Sequence, residues 1–203
     1  MVMVALVAAA AVPGHATAYD WSDKAKRAWD LLVHKDYQHG LSLSEEAVAE
    51  KPGDPVALAV RGEAYLDVGE YDRAMADHDA VLKITPNDPG ALTNSCWVRA
   101  LANVQLDIAL TYCDGAVANS RAREFAAYDT RGFLHLRRGE FALAVADYDR
   151  ALRQYGKLPT SLFGRGLAKL RLGNEAEGRA DLAKATKMDA SVADNFANKG
   201  MKP

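Results

Sequence analysis

Residues 55–88 read PVALAVRGEAYLDVGEYDRAMADHDAVLKITPND, and their pattern decides the fold. Within Val56 to Val68 the apolar residues Leu58, Tyr65, Leu66 and Val68 recur at helical spacing, and Gly69 supplies the left-handed residue on which a helix stops. Glu70-Tyr71 opens a second helix with Ala74, Met75, His78, Val81 and Leu82 on one stripe. Thr85-Pro86-Asn87-Asp88 closes it, because proline cannot extend the ladder and Asn and Asp suit a turn. Gly62 inside the first helix costs about 1 kcal/mol relative to alanine, so it needs a packing reason. Close approach of the second helix, at Ala74 and His78, is the expected one.

The pattern recurs. Arg131-Gly132 and Arg165-Gly166 follow Arg61-Gly62 by 70 and 104 residues, close to two and three units of 34, and Pro52/Pro86 and Pro55/Pro89 are each 34 apart. Residues 125–158 repeat the unit through Tyr128, Gly132, Gly139, Phe141, Ala144, Tyr148 and Ala151. Residues 159–190 repeat it through Leu162, Gly166, Gly173 and Ala185. Two units are degenerate. Residues 19–54 keep Ala28, Leu31, Tyr37, Ala47 and Pro52 but carry Gly40 where a packing alanine is expected. Residues 89–124 are two residues longer, with Cys96 at the small-residue place and Asn103-Val104-Gln105 in place of a glycine turn, one residue being inserted there.

This period and residue pattern resembles the tetratricopeptide repeat family, whose unit is a pair of antiparallel helices, and the resemblance covers nearly all of the chain after residue 18. It implies an all-α, right-handed α-solenoid of about five helix-turn-helix units: 19–54, 55–88, 89–124, 125–158 and 159–190. Residues 191–203 follow as a capping segment with a short helix over Val192–Asn198, because the last apolar face of a stack needs cover.

Composition bounds the function. A net charge of −2 lacks the clustered Lys and Arg that nucleic-acid binding requires, so no nucleic acid is expected. Arg137 and Arg138 before Gly139 suit a helix C-terminus, where cations offset the dipole. The histidines His15, His34, His39, His78 and His135 show no metal-ligand spacing, and no phosphate loop or nucleophile motif is present; no metal, no cofactor and no catalytic residue is expected.

The first residues are different material. Val2 to Val12 is uninterruptedly apolar, too short to span a bilayer and right for a signal-peptide core, and Ala16-Thr17-Ala18 places small residues at the cleavage positions. Export to the periplasm or beyond, with cleavage after Ala18 and no integral membrane span in the mature chain, is the expectation. A basic n-region is missing, and the alternative is an N-terminal helix packed on the domain.

The resemblance also places side chains. Cys96 and Cys113 fall at facing places of one unit, where the two helices come closest; in an oxidising compartment they are expected to form a disulfide, the alternative being two small buried thiols. Arg61, Arg131 and Arg165 each precede Asp77, Asp147 and Asp181 by sixteen residues. Each pair is expected to meet as a bidentate contact between the helices of its own unit.

In the family the first helix of each unit lines an inner groove. The groove places here are Trp29, then Ala59 and Glu63, Asn94 and Trp97, Asp129, Phe133 and Arg137, and Phe163, Leu167 and Arg171. An aromatic groove with a mixed polar rim suits a peptide anchored by apolar side chains. The alternative is that these aromatics pack between helices or under the terminal helix. The family's carboxylate clamp for chaperone tails is not matched: Asn94 alone fits, while Ala59, Glu63, Ala126 and Thr130 hold its other places. The function implied is a non-catalytic adaptor holding a protein or peptide, the second reading being a self-associating structural module.

Overall fold

The computed structural model describes residues 21–120 and 125–203. The leader and cleavage site expected within residues 1–18 lie outside them. Among the described residues every regular element is a helix. The described residues divide into two compact units, one ending at Val98 and the other beginning at Arg99.

In the first unit α1 (Asp23–Val33) pairs with α2 (Tyr37–Glu50), and α3 (Pro55–Asp67) with α4 (Tyr71–Ile84); α5 (Pro89–Ala102) begins here. The starts follow from local chemistry. The hydroxyl of Ser22 accepts from the Ala25 amide at 3.2 Å, and Asp54 accepts from the Val56 amide at 2.9 Å with Pro55 at the first helical position. Asp88 does the same for α5, accepting from the Ala91 amide at 2.8 Å.

In the second unit α6 is Leu106–Asn119, α7 Phe125–Arg138, α8 Phe141–Gln154, α9 Pro159–Arg171, α10 Glu175–Met188 and α11 Val192–Ala197. α7 packs on α8 and α9 on α10, and α7 also touches α9. α3, α7 and α9 are buried around most of their circumference, whereas α10 buries only Gly178, Asp181 and Ala185. In the pairs that α3, α7 and α9 open, the first helix is the more buried of the two.

The turns between paired helices share one device. Gly69, Gly139 and Gly173 have φ of 81°, 77° and 83°. Each donates its amide three residues back while the next residue donates five back: Glu70 to the Tyr65 carbonyl at 2.8 Å, Glu140 to His135 at 2.9 Å, Asn174 to Lys169 at 3.0 Å. In the degenerate units non-glycine residues take the left-handed place, Lys35 at φ 66° and Asn103 at φ 59°. The left-handed positions 35, 69 and 103 are thus 34 apart, 139 follows after 36, and 173 after 34. Gln105, at φ 50° before α6, is the inserted residue.

Helix crossings explain the interior glycines. A Cβ on Gly62 would lie 3.0 Å from the ring of His78, one of its two expected neighbours, and 3.4 Å from Asp77 Cβ. The same place meets Tyr148 at Gly132 (3.1 Å) and Leu182 at Gly166 (3.0 Å). Gly40, unexplained by pattern, sits where a Cβ would strike Leu32 at 2.6 Å, so the α1–α2 crossing is tighter than an alanine permits.

Candidate functional site

Three arginine–aspartate clamps hold the helix pairs. Arg61 donates from Nε and Nη2 to both carboxylate oxygens of Asp77 at 2.8 and 2.7 Å. Arg131 does so to Asp147 at 2.8 Å on both arms, and Arg165 to Asp181 at 2.8 and 2.7 Å. The aspartates are buried, and each guanidinium lies along the interface. The hydrogen bonds that each donates to its aspartate raise every one of these arginines above its ordinary value. Arg131 also reaches Asp114 at 2.9 Å and Arg165 reaches Asp149 at 2.6 Å, which ties neighbouring helix pairs within the second unit. These contacts fix register more than they add net stability.

Cys96 and Cys113 are fully buried, and neither is free; both are disulfide-bonded. Cys96 stands 34 residues after Gly62, and Cys113 stands 35 after His78. The two cysteines thus stand at the places, by repeat register, where Gly62 and His78 stand in the unit before.

The histidines of the helix interiors are buried beside carboxylates. His78 is 1% exposed with Nε2 3.7 Å from the Glu63 carboxylate. His135 is buried beside Glu140, whose Oε2 lies 2.6 Å from its Nδ1. Among the described residues no group of three or more His, Cys, Asp and Glu side chains is arranged to hold a metal ion, and no helix is long and apolar enough to cross a membrane.

The expected groove residues fall on both units. In the first, Trp29 and Trp97 are partly exposed, while Ala59, Glu63 and Asn94 are buried. Trp21 meets Trp29 edge-on at 6.4 Å. Burial, reinforced by the charge of Asp67 one turn on, pushes the Glu63 carboxyl up to about 8, so it is protonated at neutral pH.

In the second unit the groove places are already covered. Phe133, Phe163 and Leu167 are 2–3% exposed. Phe196 of α11 sits against both rings, 6.1 Å from Phe133 and 4.9 Å from Phe163. Lys199 Nζ lies 6.0 Å from the Phe133 ring centre. Asp129 is buried on the same face, accepts a hydrogen bond from the Ser161 hydroxyl and interacts with the Lys199 ammonium; burial raises its carboxyl to about 6. Arg137 donates to the carbonyls of Ala100 and Leu101 at 3.2 and 3.3 Å, and Arg171 donates to that of Lys202 at 2.8 Å. Beside them lies a cleft of about 360 Å³ lined by Leu136, Arg137, Leu167, Arg171, Met201 and Lys202.

The terminal segment is therefore more than an end cap. Val192 is fully buried where α11 meets α9 and α10, as a cap requires, but from Phe196 onward the chain runs back across α9 and α7. Periodicity found the short helix and gave no signal for its return, since residues 198–203 lie beyond the last repeat.

No family model matches the chain. Over 133 residues, 60% of this chain, it is 29% identical to tetratricopeptide repeat protein 16 of Homo sapiens, of whose length the match spans 15%. Among solved structures, TTC0263, a thermophilic TPR protein of Thermus thermophilus, superposes with a TM-score of 0.74 at 22% identity, covering 87% of this chain and 97% of that one. YrrB, described as a TPR protein with an unusual peptide-binding site, superposes with a TM-score of 0.59 at 16% identity, covering 91% and 94%. Together with the 34-residue recurrence and the consecutive helix pairs, these likenesses show that the chain has the fold of tetratricopeptide-repeat proteins.

Proposed function

We propose that this chain is a non-catalytic scaffold that holds a polypeptide partner on the faces presented by its first helices. One observation carries the reading: on α7 and α9 the groove residues Asp129, Phe133, Phe163, Leu167 and Arg171 already hold a polypeptide segment, the chain's own residues 192–203. A face that seats one short helix through an aromatic anchor and polar rim contacts has the chemistry to seat another. The peptide-binding site named for YrrB supports a peptide-holding role for this fold.

We place the protein outside the cytoplasm, after cleavage following Ala18. The apolar run over Val2–Val12 supports this, as do two oxidised cysteines, since thiols stay reduced in the cytosol. A mature chain whose first residue is Tyr19 is the expected result of N-terminal sequencing.

The binding role is tested with a photoreactive residue at Trp97, on a first helix, and at Leu143, which is 53% exposed on the second helix α8. Position 97 is expected to crosslink one discrete polypeptide in cells and position 143 none. Equal crosslinking at both, or crosslinks only between copies of this chain, contradicts it; the second result assigns the protein to self-associating assembly.

A further inference from the structure

We propose that residues 192–203 are an internal stand-in for the partner. The face of Asp129, Phe133 and Phe163 then takes a segment of another polypeptide carrying an aromatic side chain followed three residues later by a lysine. This rests on the scaffold reading above and names the chemistry of its ligand.

The tail is built to be displaced. α11 starts where a sixth unit would open, 33 residues after Pro159, but it stops after six residues. Gly200 at φ 77° and a bond from the Met201 amide to the Phe196 carbonyl at 2.9 Å end it. A helix this short has no stability of its own. Its hold rests on two buried side chains, Val192 and Phe196, on Lys199 beside Asp129 and over Phe133, and on contacts at the rim such as the exposed Arg171–Lys202 hydrogen bond. A segment held by so few apolar contacts opens at lower free energy than the helices beneath it.

The face under the tail specifies what replaces it. Phe133 and Phe163 present two rings that only another large apolar group keeps from water, and Phe196 meets both. Asp129 is 8% exposed, and the Lys199 ammonium interacts with it while lying over Phe133. A cation at this point therefore answers both the carboxylate and the ring face. Lys199 follows Phe196 by three residues, in the turn that Gly200 closes after α11, and this turn brings its ammonium over the rings of both Phe133 and Phe196. A competing segment needs the same pair at the same spacing.

The test uses the full chain and the synthetic peptide of residues 190–203. Phe196→Ala removes the internal anchor, so the variant is expected to bind the peptide about tenfold or more tighter than wild type, with the same peptide carrying Lys199→Glu losing about tenfold. Equal affinity for variant and wild type, no binding to a folded variant, or wild-type dimers in which one copy's tail fills the other's face each overturn the proposal. Hydrogen exchange on the wild-type chain gives an independent reading should the variant not fold: amides of 195–201 are expected to open before those of Leu167 and Ala168, and exchange of both sets only in one common event overturns it. If peptide binding fails while position 97 still crosslinks a partner, this inference falls and the scaffold reading stands.

Discussion

Ala59, Glu63 and Asp67 on α3 occupy the same register as Asp129, Phe133 and Arg137 on α7, each 70 residues later. The backbone around the two triplets is alike: a glycine met by a ring, an Arg–Asp clamp, a left-handed glycine closing the hairpin. The chemistry on the groove side differs. The first face carries two carboxyl groups, Glu63 protonated at neutral pH by its burial and Asp67 raised to about 6. The second is aromatic, flanked by an arginine, and filled by the tail. The residues that set the period thus determine the hairpin, and the residues between them are free to set what each face takes.

The largest effects come from breaking what the two faces share. Asp77→Ala removes both acceptors of Arg61 and is expected to cost about 3 kcal/mol in chemical denaturation, the range for breaking a paired buried carboxylate. Asp147→Ala is expected to cost about 1 kcal/mol less, since Arg131 keeps Asp114 at 2.9 Å while losing its second partner. Equal losses would mean that the Asp114 contact contributes nothing.

Packing comes next. A Cβ on Gly164 would sit 2.3 Å from the Tyr148 hydroxyl, and that ring is fully buried against Gly132 as well. Gly164→Ala is therefore expected to cost about 2 kcal/mol through overpacking. Gly53→Ala, with nothing within 4 Å of its Cβ, is expected to change stability by less than about 0.5 kcal/mol. A neutral Gly164→Ala would show that Tyr148 has room to swing away.

The acidic face predicts a pH dependence. The Glu63 carboxyl lies at about 8 in the folded chain against an ordinary 4.5, so the folded state keeps a proton that the unfolded chain has already released. Its contribution is complete below 4.5 and is lost as pH rises through 8. Glu63→Gln cannot ionise, and at pH 9 it is expected to be more stable than wild type by about 1–2 kcal/mol, with no difference of that kind at pH 4. A wild-type chain whose stability is flat between pH 5 and 9 contradicts the protonated Glu63.

Much of this was legible in the sequence because it recurs. Gly69, Gly139 and Gly173 announce left-handed turns that few other residues tolerate, and the sixteen-residue Arg–Asp spacing spans one hairpin regardless of sequence between. Lys35 was not legible as a turn residue, because nothing about a lysine marks a positive φ; only its 34-residue distance from Gly69 does so, whereas Asn103 opens the stretch read in place of a glycine turn. Gly40 read as a defect because the crossing partner, Leu32, lies in the other helix. The occupied face was the least legible feature. Phe133, Phe163 and Leu167 are groove residues by register, and whether a groove is open depends on where the last twelve residues go, which no repeat governs.

The most direct test of the account is a nuclear Overhauser spectrum of the chain with labelled phenylalanine. Contacts from the Phe196 ring to those of both Phe133 and Phe163 are predicted, at ring-centre separations of 6.1 and 4.9 Å. A Phe196 ring with random-coil shifts and no cross-peak to either would contradict it.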